Sequence, residues 1–375
     1  MVEIKTLPYD MTPETETNLR RACAISLFSY IYGEPYDIMR IGKSNLLQLT
    51  QCVIVLDFTT SIGEQVRQSI ASSANNKAQF PLDNYNTALF QVIADDDYYN
   101  DLYLEFNIQN KLGGECYVFS RRNTNEILVS FRGSDTLLDL LVDATVETAP
   151  LRFDDLQLAT DARIHRGFYC QLTNYEFHIQ LAKIVETFIN RADAPITVKI
   201  IGHSLGSALG CLFAYYLHHH FNASLADKPG TVGFPNIEVY TNGSPTVGNS
   251  AWVRDFNAIF VNDGRRNQYR LINEHDITPN VHIFGYKVLD AIPSIRCLAN
   301  EIPPPPPDAT LLARFINQSL FDYKHVGTET YVIVEKVLRR VDNATHVFAE
   351  PTVGDLLNIA NTHMLDYQRW LSKPV

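Results

Sequence analysis

Positive charge is scarce in this 375-residue chain: 31 Lys and Arg stand against 42 Asp and Glu, for a formal net charge of −11. No dense basic block occurs, so a nucleic-acid partner is not expected. An acidic surface disfavours anionic membrane and leaves neutral lipid open. Cysteine is sparse too. Cys23, Cys52, Cys116, Cys170, Cys211 and Cys297 are scattered and form no C-x-x-C pair, which indicates neither a zinc site nor a dense disulfide framework. The calcium pattern D-x-D-x-D-G is missing. No run of ~20 uncharged apolar residues is present, so no membrane span is expected. The opening MVEIKTLPYDMTPETETNLRR lacks the basic-then-apolar order of a signal peptide. These absences point to a reducing compartment, cytoplasmic by default, with the sequons at Asn222, Asn317 and Asn343 arising by chance; a non-standard secretion route stays open. Neither a metal nor an organic cofactor is called for.

What is present is apolar enough to fold: 46% of the residues are hydrophobic, sufficient for one large core or two ordinary ones. No repeat of solenoid period occurs. Residues 14–32 place apolar side chains at helical spacing. Residues 63–110 read as helical pieces with loops. CYVFS (116–120) and EILVSF (126–131), with RRNTN between them, read as adjacent strands joined by a polar turn. ITVKIIG (196–202) is a β-branched run of the buried-strand type, followed at once by a helical pattern over 204–221. Further strands are expected at 237–243, 267–276 and 323–334, and a last helix at 355–371. Strands alternating with helices predict a mostly parallel central sheet covered by helices on both faces. Pro303–Pro307 is a stiff extended stretch, so residues 287–320 read as an excursion from a single domain spanning 1–375, with a helical extension over 1–110. A second domain is not compelled.

The sharpest signal is Gly202-His203-Ser204-Leu205-Gly206. A serine on a sharp strand-to-helix turn adopts a strained backbone, and bulky residues two places to either side would collide; glycines there remove the crowding. The helix that starts at the turn aims N–H groups and its positive dipole end at any oxyanion formed on the serine. A bare G-x-S-x-G is common by chance. This one follows a strand-like run and opens a helix-like run, the context such a nucleophile needs.

Further segments bear on it: LVSFRGSDTLLDLLVDA (128–144), IHRGF (164–168), YTNGSPTVGN (240–249), YRLINEHDITP (269–279), GYKV (285–288), KHVGTETYVI (324–333) and THMLDY (362–367). In this order, across roughly 115–370, the chain resembles the class 3, fungal-type lipases of the α/β-hydrolase superfamily, and RACAISLFSYIYG (21–33) is similar to that family's opening segment. The resemblance implies an α/β-hydrolase fold and carboxylic-ester hydrolysis without a cofactor. It assigns Ser204 as nucleophile, Asp276 as acid and His363 as base, with Ser134 and Leu205 as the oxyanion hole and residues 135–150 as a mobile lid able to touch a lipid surface transiently. The order Ser, acid, His is also that of the α/β-hydrolases. Asp276 follows Ser204 by 72 residues and His363 follows Asp276 by 87, longer separations than in compact fungal members.

Each assignment has rivals in the residues themselves. For the base, His282, His325 and His346 also follow Asp276; His325 sits in a strand-like run, where a structural histidine is expected. For the acid, Glu274 and Asp290 compete, but Asp276 ends a strand-like run before a Thr-Pro turn, where a carboxylate emerges at the sheet edge that carries chemistry in such folds. His203 reads as a packing and hydrogen-bonding residue, and His218–His220 as cationic caps of the elbow helix. Leu137, Leu138, Leu140, Leu141 and Val142, broken by Asp139 and Asp143, fit either a core helix or a lid. The reading is a serine-dependent carboxylic-ester hydrolase acting on acylglycerols. The alternatives are a phospholipase or acyltransferase with the same triad, and a binding module without turnover.

Overall fold

The computed structural model describes residues 11–30, 57–75, 84–133 except 111 and 113, 148–156, 158, 160–225, 235–261, 267–276, 278–280, 325–334 except 328, 337–342, 363 and 366–371. The excursion 287–320, the sequons Asn317 and Asn343, His282, His346, Asp290, Ser134 and lid residues 135–147 lie outside the described residues.

An eight-stranded sheet organises the chain. Its strands are β1 (Leu102–Gln109), β2 (Glu115–Arg121), β3 (Glu126–Phe131), β6 (Thr197–His203), β7 (Asn236–Asn242), β8 (Gln268–Asn273), β9 (Glu329–Val334) and β10 (Val337–Asp342), in that spatial order. β3, β6, β7, β8 and β9 pair in parallel; β1–β2, β2–β3 and β9–β10 pair antiparallel at the two ends. A two-stranded ribbon pairs β4 (Thr148–Pro150), the described end of the expected lid, with β5 (Arg163–His165).

Alternation along β2 and β3 sends side chains to two separate cores. Val118, Ile127, Val129 and Phe131 meet helices α4 (Arg166–Thr173), α5 (Phe177–Arg191), α6 (Leu205–Leu225) and α7 (Ser250–Phe260) on one face. Tyr117, Phe119 and Leu128 meet α1 (Pro13–Phe28), α2 (Ile62–Asn75), α3 (Asn84–Asp95) and α8 (Asp366–Leu371) on the other. Each buried large apolar side chain stabilises by roughly 1.5–3 kcal/mol, so both helical layers are held by the sheet. Helix α1 starts as its sequence dictates: Thr12 accepts from the Thr15 N–H at 3.2 Å, Pro13 opens the first turn, and Glu14 and Glu16 face the positive dipole end.

The strand readings at 116–131, 196–202, 237–243 and 267–276 match β2, β3, β6, β7 and β8 to within a few residues. Two departures have physical causes. Segment 63–110 also contains strand β1, whose Leu102, Leu104, Phe106 and Ile108 alternate at period two with Tyr103, Glu105 and Asn107, a strand signal that the helical reading of the surrounding Asn- and Asp-rich segment passes over. The elbow helix runs five residues past His220, and burial pushes the His218 imidazole down to about 4 and lowers His219, so these rings are neutral and half-buried rather than cationic caps.

Candidate active site

The parallel strands end on one edge, and that edge collects the chemistry. β6 stops at His203, Ser204 turns the chain, and α6 begins at Leu205. Ser204 has φ 58°, a left-handed conformation that costs a non-glycine residue roughly 1–3 kcal/mol and persists only where its surroundings enforce it. Here they do. The Ser204 N–H donates to the Asn242 carbonyl at 2.9 Å, and its own carbonyl accepts from the Ser207 N–H at 2.9 Å. Ser207 Oγ donates to the Gly202 carbonyl at 2.7 Å and accepts from the Asn242 N–H at 3.0 Å, stitching β6 to β7 under the turn. A Cβ at Gly202 would overlap the Gly206 backbone, and one at Gly206 would overlap the Phe131 carbonyl oxygen. Both glycines are therefore steric requirements of the turn. The Leu205 N–H is one of the first-turn donors that a helix leaves without an internal acceptor.

On the same edge, His363 Nδ1 lies 2.9 Å from Asp276 Oδ2 and 3.0 Å from Oδ1. A carboxylate only accepts, so Nδ1 carries the proton and Nε2 presents a lone pair. Nε2 is buried with no hydrogen-bond partner among the described residues, and no hydrogen bond joins it to Ser204. Asp276 is fully anchored: its Oδ2 accepts from the Tyr367 hydroxyl at 3.0 Å and its Oδ1 from the Thr278 N–H at 2.9 Å. Tyr367 in turn accepts from the Asn273 N–H at 3.0 Å, and burial together with the Asp276 charge pushes its phenol well above the usual range, so it stays a donor. Gly243, at φ 57°, ends β7 beside this group; a Cβ there would stand 2.7 Å from Asp276 Oδ2 and 3.0 Å from His363 Cε1. Ser204, Asp276 and His363 are 4%, 2% and 7% exposed, so bulk water does not screen their charges.

The rival histidine inside the elbow has both ring nitrogens engaged. His203 Nδ1 meets the Tyr30 hydroxyl at 2.9 Å and Nε2 meets the His363 carbonyl at 2.8 Å. Its ring lies 4.4 Å from that of His363, tilted by 36°, and burial holds it well below the ordinary imidazole range. His325 is half-buried beside β9. Glu274 is half-buried, 3.6 Å from His275. Arg132 and Glu115 form a buried ion pair at 2.8 Å that fixes the chain just before Gly133. The sequence reading left Tyr30 and Asn242 without a role. Tyr367, four residues from His363, Thr278, two from Asp276, and Ser207, three from Ser204, are local neighbours of the site; Tyr30 and Asn242 meet it only through tertiary contacts.

Residues 128–285 match the sequence profile of the family described as lipase (class 3). Among curated relatives, phospholipase A(1) DAD1, chloroplastic, of Arabidopsis thaliana is 26% identical over 173 residues, 43% of this chain and 35% of that protein. Phospholipase A1-II 6 of Oryza sativa subsp. japonica is 25% identical over 172 residues, 41% of this chain and 39% of that protein. The chain thus spans little more than a third of the length of the curated relatives it matches. Among solved structures, Lip2 lipase of Yarrowia lipolytica superposes with a TM-score of 0.52 at 16% identity, covering 98% of this chain and 96% of that one. A mutant form of MDLA from Penicillium cyclopium superposes with a TM-score of 0.51 at 15% identity, covering 97% and 100%. At such identities the likeness speaks for the fold.

Proposed function

From a chain that carries a segment matching the class 3 lipases on an α/β-hydrolase fold, we propose a serine-dependent carboxylic-ester hydrolase acting on acyl lipids. The observation that supports it most is the His363–Asp276 pair, which leaves a buried imidazole lone pair on the edge where the elbow presents Ser204. In this reading His363 Nε2 takes the Ser204 proton as the hydroxyl oxygen attacks the ester carbonyl. Asp276 holds the tautomer and balances the imidazolium. The Leu205 N–H, with the N–H and hydroxyl of Ser134, receives the oxyanion. His363 then gives the proton to the leaving alcohol, and water releases the acid from the acyl-enzyme by the same steps. Residues 135–150 would act as the lid over an apolar cleft, touching a lipid surface when open.

A fluorophosphonate probe tests the reading. The chain should label, and Ser204→Ala should not; an unlabelled wild-type chain would favour a binding module. Nitrophenyl esters from acetate to palmitate then give the acyl preference. Phospholipase activity is the second reading, because relatives of this chain are named phospholipase A1. Fatty-acid release from a diacyl phosphatidylcholine, compared with release from a triacylglycerol at equal acyl length, separates the two.

A further inference from the structure

Helix α1 lies outside the segment that matches the class 3 lipases, yet it contacts several of the elements around the site. Ser26 Oγ accepts from the Asn242 side-chain amide at 2.9 Å, at the end of β7. Ser29 Oγ shares a 2.8 Å hydrogen bond with Ser130 in β3. Arg20 donates to the Trp370 carbonyl at 3.2 Å and lies 4.6 Å over the Trp370 ring, in the helix that carries Tyr367. Just beyond α1, the Tyr30 hydroxyl reaches the junction of β3 and β6. A Cβ at Gly133 would overlap that hydroxyl, and would also stand 2.7 Å from the His203 carbonyl and 3.1 Å from Ser204 Cβ.

We propose that Tyr30 is a positioning residue for the hydrolysis described above: its hydroxyl fixes the tautomer of His203, and His203 holds the backbone of His363. This inference rests on that reading of the site. The proton logic follows from the partners. The His363 carbonyl can only accept, so His203 Nε2 carries the proton, Nδ1 is the acceptor, and Tyr30 donates to it. During turnover His363 becomes an imidazolium with the centre of the His203 ring 4.4 Å away. A second proton on His203 would oppose that charge. The Tyr30 donor occupies the lone pair that would accept it, and burial further disfavours the charged ring. Tyr30 thus keeps the neighbour of the base neutral and in one orientation, so that His363 Nε2 stays aimed at the elbow.

Tyr30→Phe keeps the ring and removes only the hydroxyl, and it is tested in the full-length protein. Tyr98→Phe is the control: Tyr98, which is buried whereas Tyr30 is half-buried, donates to Glu126 at 2.5 Å, at the opposite end of β3. For Tyr30→Phe, kcat on nitrophenyl butyrate and the rate of fluorophosphonate labelling should each fall about tenfold with KM within about twofold. Tyr98→Phe should lose stability without losing kcat. His203→Gln, whose amide can still donate to the His363 carbonyl, should keep more activity than His203→Leu. Nitrogen NMR of isotope-labelled histidine should show a single Nε2-protonated His203 in the wild type and a mixture of tautomers in Tyr30→Phe. Unchanged kcat and labelling in Tyr30→Phe, an unchanged tautomer, or an equal kcat loss in Tyr98→Phe would overturn the positioning role. A wild-type chain that takes no label would sink the hydrolase reading, and this inference with it.

Discussion

The hydroxyl of Tyr367 makes two buried bonds at once, to Asp276 and from the Asn273 N–H. Replacing Tyr367 by Phe removes a buried hydrogen bond from the Asn273 N–H, which costs about 1–3 kcal/mol, and leaves Asp276 Oδ2 with His363 Nδ1 but without its phenol donor. Urea unfolding should show the loss of stability, and kcat should fall with it. Asp276→Asn bears on the base more directly. An amide that turns its N–H towards Nδ1 favours the wrong tautomer of His363, and a drop of about 10⁴-fold in kcat is expected, with the protein still folded by circular dichroism. Ser204→Ala should lower kcat by about 10⁶-fold, since removing the proposed nucleophile alone disables the whole proposed triad. An ester-hydrolysis assay with active-site titration checks both.

At the scale of elements, the turn from β6 to α6 is held by close backbone approach rather than by side-chain burial. Gly206→Ala forces a methyl into the Phe131 carbonyl at the end of β3 and should cost about 3 kcal/mol or more, because backbone cannot yield as a flexible side chain can. Gly210→Ala, one turn further along α6, meets Ile200 Cγ2 at 3.3 Å as its one tight contact, with Phe131 Cδ2 at 3.7 Å and the Ile201 carbonyl oxygen at 3.9 Å at ordinary distance. There the gain in helix propensity, about 0.5–1 kcal/mol, offsets a contact that needs a small adjustment, so its unfolding midpoint should stay near that of the wild type. Comparing the two variants in urea separates the turn's steric demand from a general intolerance of larger residues. The same contrast explains what was legible locally. The elbow could be read from spelling because its serine and glycines lie within five consecutive residues, even though the clash that requires Gly206 comes from Phe131 in β3. β1 is one short alternating run inside an Asn- and Asp-rich segment, and its identity depends on pairing with β2.

For the whole molecule, the neutral buried histidines couple stability to pH. His203 is fully buried and its pKa is depressed; His178, His218 and His219 move in the same direction. Above the unfolded imidazole value near 6.5 neither state binds the proton and the full stability is present. As pH falls below it, the unfolded chain takes up protons that the folded chain refuses, and His203 alone costs about 1.4 kcal/mol per pH unit until its folded pKa is reached. The carboxylates act lower: Asp57, held down to about 2 by hydrogen bonds from Thr60 and Thr59, contributes above the unfolded carboxyl range and loses its contribution as pH falls through it. Urea midpoints should therefore drop between neutral pH and about pH 5, and His203→Gln should flatten part of that slope.

The sequence alone determined what depends on neighbours in the chain: the strand–turn–helix spelling around Ser204, the alternation of β2 and β3, the apolar run of β6, and the cap of α1. Those signals are local because sterics, pleat and helix period act over a few residues. Only the tertiary structure decided which histidine meets Asp276, and that His203 is locked between Tyr30 and the His363 backbone. It also decided that helix α1 braces the sheet edge that carries Ser204, Asp276 and His363. These are contacts between residues up to 350 positions apart. Only the stacking of two helical layers on one sheet brings them within hydrogen-bond reach, and no periodicity in the chain encodes such a distance.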